Sequence, residues 1–273
     1  MRMKTLPGVV IAGLPFLLAF LMSGVSGCNG EKAPSTGERE VRVAAAADLK
    51  FAFDELASEF QKKNPGIKVT VTYGSSGNFF AQLSNKAPFD LYLSADIDYP
   101  RKLVEKGLAD TDSEFMYAVG QIVVWAPNSS TLDLDKLGIQ AVADPSVKKL
   151  AIANPKHAPY GRAAEAALKK LEVYDNVKDR LVLGENIAQT AQYVESGSAD
   201  VGIIALALAL APALRDKGRY WIVPLDAYPR MEQGGIILNW TKDPEATQSL
   251  RAFLTGTEGR AILKRYGFIL PGE

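Results

Sequence analysis

The sequence contains almost none of the two residue types that most often build compact catalytic and metal sites, cysteine and histidine. Its 273 residues include one cysteine, Cys28, and one histidine, His157. One residue of each type can form neither an intrachain disulfide nor a clustered Cys/His metal site. His157 lies in a proline-rich turn at residues 154–159, where we expect it to have a structural role.

The sequence also lacks an excess of charge of either sign. Lysine plus arginine and aspartate plus glutamate both total 31, so the formal net charge is zero. Because no basic stripe is present that could follow a phosphate backbone, we expect no nucleic-acid partner. The hydrophobic fraction of 47% and the charged fraction of 23% are typical of a soluble globular body. A chain of 273 residues is long for one core, so we expect two lobes.

The chain begins with a pattern typical of export. Arg2 and Lys4 precede an apolar run at residues 6–22, and the tetrapeptide Val25-Ser26-Gly27-Cys28 follows it. A basic start, an apolar run and small residues are the parts of a signal peptide. Small residues directly before a cysteine resemble the lipobox of bacterial lipoproteins, in which that cysteine is lipidated and becomes the mature N-terminus.

We therefore predict a lipoprotein signal peptide at residues 1–27, lipidation of Cys28, and a flexible tether at residues 28–40, which are polar and rich in helix breakers. The predicted location is the cell envelope, on the periplasmic side, with the lipid as the only membrane contact. A signal peptide with an incidental cysteine and an uncleaved membrane anchor are the alternatives. The prolines and glycines within the apolar run disfavour the anchor.

From Val41 onward, short strand-like runs alternate with helical patterns. Leu49, Phe53, Leu56 and Phe60, for example, recur at helical spacing between two β-forming runs. This alternation favours an α/β fold with parallel sheets built from βαβ units.

Two strongly β-forming stretches, at residues 117–125 and 220–225, are candidates for carrying the chain from one lobe to the other and back. Two such crossings imply a hinge. We predict that residues 41–118 and 225–273 form lobe 1 and that residues 119–224 form lobe 2.

Four predicted strand-to-helix junctions have unusual sequences. Ligands of open α/β sheets bind at the carboxyl ends of the strands, where the N–H groups of the next helix point outward with a partial positive charge. The junctions lie at residues 46–49, 73–78, 158–162 and 184–188. The second contains Ser75 and Ser76 between two glycines, which favours an anion-binding loop over a plain polar turn.

Several motifs together carry a resemblance to a known family. They are Ala45-Ala46-Ala47-Asp48-Leu49, Gly74-Ser75-Ser76-Gly77, Asp90-Leu91-Tyr92-Leu93-Ser94-Ala95-Asp96 and Lys264-Arg265-Tyr266-Gly267-Phe268. From Val41 to Leu270 the sequence resembles the periplasmic molybdate-binding family of type II periplasmic binding proteins. The resemblance implies two βαβ-built lobes joined by a two-crossing hinge, and an extracytoplasmic substrate-binding lipoprotein of an ABC importer. It also implies a permease partner in the inner membrane and a monomer without a cofactor.

The family holds a tetrahedral oxyanion, molybdate or tungstate, with backbone N–H groups and a few hydroxyls. Carried over to this sequence, those contacts fall on Asp48, Ser76, Tyr160 and Ile187, and a fifth falls on Ala205. No free metal cation is implied, because the metal enters as the oxyanion. Two positions depart from the family pattern: Asp48 replaces a serine of the best-known members, and Ala205 has no side-chain donor.

The resemblance leaves the role of the Asp48 side chain open. A carboxylate facing a dianion in a partly desolvated cleft is repelled by several kcal/mol at an effective dielectric constant of about 20. We therefore predict that the side chain is turned away as the N-cap of a helix beginning at Leu49, and that only the backbone N–H faces the ligand. We expect Arg162, on the same grounds of neutral binding, to be solvated.

Three other functions remain as alternatives. The first is a binding protein for another anion or a small organic solute, and the second is a structural or adaptor lipoprotein. A hydrolase is the third, although neither Ser75 nor Ser76 lies in a Gly-x-Ser-x-Gly elbow and no catalytic signature surrounds His157. We predict that the protein is not an enzyme.

Overall fold

The computed structural model describes residues 39–273, in which the strands form two five-stranded sheets. The strands are β1 (Arg39–Ala46), β2 (Ile67–Gly74), β3 (Leu91–Ser94), β4 (Phe115–Gly120), β5 (Ile122–Pro127), β6 (Leu150–Ala153), β7 (Leu181–Gly184), β8 (Val201–Ala205), β9 (Gly218–Ile222) and β10 (Met231–Ile237). The order is β2-β1-β3-β10-β4 in the sheet of lobe 1 and β7-β6-β8-β5-β9 in the sheet of lobe 2.

Helices connect most of these strands. They are α1 (Lys50–Lys63), α2 (Ser76–Ser84), α3 (Asp98–Glu105), α4 (Leu134–Leu137), α5 (Pro159–Lys170), α6 (Tyr174–Val177), α7 (Ile187–Glu195), α8 (Leu206–Ala209), α9 (Pro244–Thr255) and α10 (Thr257–Arg265). No helix among residues 39–273 is long and apolar enough to cross a membrane.

Both sheets are mixed, so the prediction of parallel sheets holds only for part of each. In lobe 1, β1 pairs in parallel with β2 and β3, whereas β10 is antiparallel to β3 and β4. In lobe 2, β5 is antiparallel to β8 and β9. The reason is the path of the chain: a strand that enters a lobe from the cleft starts at the carboxyl edge of the parallel strands, so it runs against them.

The two crossings overlap the predicted stretches. The chain passes from lobe 1 to lobe 2 inside residues 117–125, at Gln121, which separates β4 of one sheet from β5 of the other. Of the predicted return stretch, residues 220–222 lie in β9, an edge strand of the lobe 2 sheet, and residues 223–225 follow it. The chain returns to lobe 1 between β9 and β10, in residues 223–230.

The core of lobe 1 confirms the helical spacing seen in the sequence. Leu49, Phe53, Leu56 and Phe60 are all buried and pack with apolar residues of α9 and α10. Burying a side chain of this size stabilises the fold by about 1.5–3 kcal/mol. A second core packs α5 and α7 against the lobe 2 sheet. The carboxyl ends of the parallel strands of each lobe are thereby held at the cleft.

The N-terminal predictions fall largely outside the described residues. Cys28, the signal peptide and most of the tether precede residue 39. Arg39 and Glu40, which we assigned to the tether, instead form the start of β1 and pair with Ile67 and Lys68.

Candidate ligand-binding site

The four strand-to-helix junctions meet at one small cavity between the lobes, with about 200 Å³ of empty space including its mouth. Its lining consists of Ala46, Ala47, Asp48, Gly74, Ser75, Ser76, Ala95, Ala158, Pro159, Tyr160, Asn186 and Ile187. All four residues that the sequence indicated as ligand contacts are in this set. Only about 10 Å³ of this space is accessible to the centre of a water molecule, far less than the roughly 300–1,000 Å³ of clefts that hold drug-sized molecules.

Asp48 lies at the deepest polar point of the lobe 1 side. It belongs to a short 3₁₀ turn, Ala47–Leu49, between β1 and α1, and its side chain is 1% exposed. Its Oδ2 accepts hydrogen bonds from the Tyr160 hydroxyl at 2.9 Å and from Gln233 Nε2 at 2.7 Å. Tyr160 belongs to lobe 2, so this carboxyl joins the two lobes.

The prediction that Asp48 caps α1 is therefore wrong. Neither the 3₁₀ turn nor α1 has a side-chain cap bond at its N-terminus. The turn inserts between β1 and α1, which places Asp48 inside the turn rather than at the first residue before a helix. Two buried side-chain donors, Tyr160 and Gln233, bind the carboxyl.

Burial decides the protonation chemistry of Asp48. Desolvation raises the pKa of its carboxyl to about 6, although the hydrogen bonds from Gln233 and Tyr160 act to lower it. Its second oxygen, Oδ1, is buried and has no hydrogen-bond partner within residues 39–273. Burial, with the nearby Asp48 charge, also raises the pKa of the Tyr160 hydroxyl well above its ordinary value, so this hydroxyl stays protonated and donates.

Ser76 is held rigidly on the same side of the cavity. Its Oγ accepts a hydrogen bond from the Ala95 backbone N–H at 3.0 Å, and its carbonyl accepts one from the Tyr92 hydroxyl at 2.7 Å. The bond from Ala95 uses a lone pair of Oγ, so the Ser76 hydroxyl can still act as a donor. Ser75 precedes α2 without capping it, and its Oγ lies 3.0 Å from His157 Nδ1 of lobe 2.

Lobe 2 presents two helix starts to the cavity. Tyr160 is the second residue of α5, after Pro159, and Ile187 is the first residue of α7. N–H groups at such positions have no acceptor within their own helix and carry a partial positive charge. Asn186 caps α7 by accepting a hydrogen bond from the Gln189 N–H at 3.0 Å. Ser76, the first residue of α2, offers the same kind of N–H group from lobe 1.

Close contacts join the lobes around the cavity. The Gly77 N–H donates to the His157 carbonyl at 2.9 Å. Arg162 of lobe 2 pairs with Asp96 of lobe 1 at 2.5 Å, and its side chain is 40% exposed. Arg162 is thus half-solvated and bound to the facing lobe, whereas the sequence predicted a solvated residue alone.

A wider cleft of about 490 Å³ opens beside the cavity and shares Ala95 and Pro159 with it. Three arginines line this cleft, and each is paired with an acid: Arg162 with Asp96, Arg101 with Asp98, and Arg230 with Glu232. These charges are exposed and compensate one another. No lysine, arginine or histidine is among the described residues that line the small cavity, so its donors are neutral.

Comparison of the chain with known proteins identifies its family. Residues 41–269 match the family described as bacterial extracellular solute-binding protein. The chain belongs to this family. The molybdate-binding protein ModA of Azotobacter vinelandii is 36% identical over 252 residues, which cover 92% of this chain and 96% of that protein.

A solved structure and a second relative extend the comparison. The solved structure of the Azotobacter vinelandii periplasmic molybdate-binding protein superposes with a TM-score of 0.78 at 32% identity, over 85% of this chain and 99% of that chain. A Bacillus subtilis protein named a putative ABC transporter substrate-binding lipoprotein is 29% identical over 258 residues, 92% of this chain and 95% of its own length. The fold of this solute-binding protein is therefore the periplasmic-binding-protein fold.

Sequence reasoning missed two residues that hydrogen-bond with the lining of the candidate site. Gln233 of β10 is fully buried and donates to both Asp48 and Tyr160. The available signal was a glutamine within the β-forming run at residues 231–237. His157, assigned to a structural turn, contacts Ser75 across the cleft. Ala205, which the family pattern indicated as a fifth contact, is buried at the end of β8 and is not among the cavity residues.

Proposed function

We propose that this protein is the extracytoplasmic substrate-binding component of an ABC importer and captures molybdate or tungstate in the cavity between its lobes. The observation that carries the proposal is the convergence of helix starts and hydroxyls on a small cavity without cationic side chains. The molybdate-binding relatives support the choice of anion. The protein acts by binding and release, not by catalysis.

Four residues bind the anion in this proposal. Ser76, Tyr160 and Ile187 offer backbone N–H groups at helix starts, and Ser76 adds its hydroxyl. Asp48 completes the set from the lobe 1 side of the cavity, the side that also carries Ser76. Such donors stabilise a dianion through fixed dipoles, without the desolvation cost of burying a compensating charge.

The location and partners follow from the same role. Cys28 carries the lipid and holds the protein at the membrane surface, where a permease in the inner membrane accepts the anion from the monomer. The small residues before Cys28 and the lipoprotein name of the Bacillus subtilis relative support the anchor. In cells given a fatty-acid analogue, wild-type protein should become labelled and Cys28→Ser should not. A wild-type protein that takes up no label would remove the anchor from the proposal.

Titration of the purified protein with molybdate, tungstate, sulfate and phosphate tests the ligand. Ligand at 100 times its Kd stabilises the folded state by about 2.7 kcal/mol. For a domain of this size, that corresponds to a rise in Tm of about 5–10 °C. We expect this rise with molybdate and tungstate and a much smaller one with sulfate. A rise with an organic solute and none with any oxyanion would overturn the proposal.

A further inference from the structure

The two oxygens of the Asp48 carboxyl have different environments. Oδ2 accepts one hydrogen bond from Tyr160 of lobe 2 and another from Gln233 of β10. Oδ1 is buried beside the cavity and has no partner within the described residues. A buried ionised carboxyl with one unsatisfied oxygen is costly, so this site favours a carboxyl that donates a proton from Oδ1.

The groups around Asp48 do not compensate a negative charge. From α5 and β4 the titratable side chains that face it are the phenols Tyr160 and Tyr117, and their pKa values are raised, chiefly by burial. Tyr228 lies near Tyr160, and its hydroxyl oxygen accepts a hydrogen bond from the Ile122 backbone N–H at 3.4 Å. All three phenols are neutral.

The elements packed directly against the 3₁₀ turn of Asp48 are α1, α7, α8 and β2. The buried face of α7 and the whole of α8 carry no titratable side chain. On α1, Lys50 pairs with Asp54 and lies over the ring of Tyr73, and the Tyr73 hydroxyl of β2 donates to Asp54. These charged groups are engaged with one another at the surface, so none neutralises Asp48.

Gly120 shows how closely this arrangement is built. A Cβ atom at this position would lie 2.4 Å from the Tyr160 hydroxyl and 2.7 Å from Gln233 Nε2. The absence of a side chain at the crossing between the lobes therefore gives both donors access to Asp48. Their bonds orient the carboxyl and leave Oδ1 as its only available oxygen.

We propose that Asp48 binds the oxyanion as a neutral carboxylic acid, donating its Oδ1 proton to an anion oxygen while Oδ2 accepts from Tyr160 and Gln233. The inference rests on the proposed function. Above the pKa of Asp48 in the free protein, binding takes up one proton from the acid form of the buffer, which becomes its conjugate base, and that proton forms the O–H bond at Oδ1. An ionised Asp48 would instead repel the dianion. The site therefore favours a fully deprotonated oxyanion, which can only accept hydrogen bonds, over an oxyanion that carries a proton and donates it in a hydrogen bond.

Calorimetric titration with molybdate between pH 6 and pH 9 tests the inference. We expect the Kd of the wild-type protein to rise about tenfold per pH unit above the pKa of Asp48. Titrations at pH 8 in two buffers of different ionisation enthalpy should report the uptake of about one proton per anion.

Asp48→Asn is the matched variant, because an amide keeps an acceptor for Tyr160 and Gln233 and a donor for the anion without titrating. It should remove the pH dependence and the proton uptake. At pH 8, two units above a pKa of about 6, it should bind molybdate about 100-fold more tightly than wild type. Asp48→Ser, with a hydroxyl donor, should also bind with no pH dependence. Both variants control for protonation of the anion itself.

The outcomes separate this inference from the proposed function. Wild-type binding that is independent of pH and takes up no proton would overturn the inference alone. Tighter binding of phosphate than of molybdate, without proton uptake, would also overturn it, because Asp48 would then accept a proton from the anion. If wild type and both variants bind neither molybdate nor tungstate at any pH, the proposed function itself is wrong.

Discussion

The two lobes contribute different chemistry to the cavity between them. Lobe 1 supplies buried polar side chains, Asp48 and Ser76, each held by hydrogen bonds. Lobe 2 supplies the starts of α5 and α7. Whether the N–H groups of these starts face the cavity depends on the position of the backbone. We infer that lobe 1 sets the protonation and hydrogen-bonding preferences of the site and that lobe 2 sets its geometry. Substitutions in the two lobes should therefore have different consequences.

We expect the largest loss of stability from a substitution in lobe 2, Gly161→Ala. A Cβ atom at this position would lie 2.1 Å from the Ala153 carbonyl oxygen, a backbone atom at the end of β6. The start of α5 must then move away from the sheet, and we expect a loss of about 3 kcal/mol in the free energy of unfolding. Denaturant unfolding measures it. Gly66→Ala is the control, because nothing lies within 4 Å of a Cβ there. Equal effects of the two variants would contradict the close packing of α5.

The second prediction concerns the pH dependence of stability, which we expect to come from the lobe 1 side. The pKa of Asp48 is about 6 in the folded protein and 3.8 ordinarily, so the folded state binds this proton more tightly than the unfolded state. Its contribution to stability is present below about pH 4 and is lost as the pH rises through 6. At about 1.4 kcal/mol per pKa unit, the loss is about 3 kcal/mol. Asp48→Asn lacks this loss.

Thermal or denaturant unfolding at pH 4 and at pH 7.5 checks this difference. Relative to wild type, Asp48→Asn should gain about 3 kcal/mol between the two pH values. A constant difference between the two proteins would show that Asp48 titrates normally, as it would if the lobes exposed it to water.

Ser76→Ala should affect both the fold and the ligand, with a cost of about 2 kcal/mol in stability. The substitution leaves the buried Ala95 N–H without its acceptor, and a buried unsatisfied donor costs about 1–3 kcal/mol. It also removes a proposed donor to the anion. The control lies on the same helix: the Ser84 hydroxyl is buried without a partner, so Ser84→Ala should leave stability unchanged or raise it. If Ser84→Ala destabilised the protein and Ser76→Ala did not, the hydrogen bond from Ala95 to Ser76 would not contribute to stability.

The smallest expected change in stability comes from substitutions at the starts of two helices, α7 in lobe 2 and α2 in lobe 1. Asn186 caps α7 in lobe 2, whereas Ser75 occupies the corresponding position before α2 in lobe 1 without a cap bond. Asn186→Ala should therefore cost about 1 kcal/mol in unfolding free energy. In a His157→Ala background, where the contact between Ser75 and His157 is already absent, Ser75→Ala should cost less than half of that. Chemical denaturation of both variants measures the difference. Equal costs would mean that both lobes hold their helix starts in the same way.

Much of the local structure is predictable from the sequence because its causes are local. The spacing of Leu49, Phe53, Leu56 and Phe60 predicts α1 and its buried face. Strand-to-helix junctions follow from the alternation of strands and helices, and the structure brings all four to one cavity. The direction of β10 and β5 was not predictable in the same way, because it depends on where the chain re-enters each lobe.

The sequence by itself determined the α/β alternation, the family and the positions of the four junctions, since periodicity, turn residues and short motifs act over a few residues. Only the tertiary structure decided the environment of Asp48. Its partners lie 112 and 185 residues away in the chain, at Tyr160 and Gln233. Whether an aspartate caps a helix or joins two lobes depends on which donors are buried beside it. That proximity arises from the packing of both lobes, which no local pattern specifies.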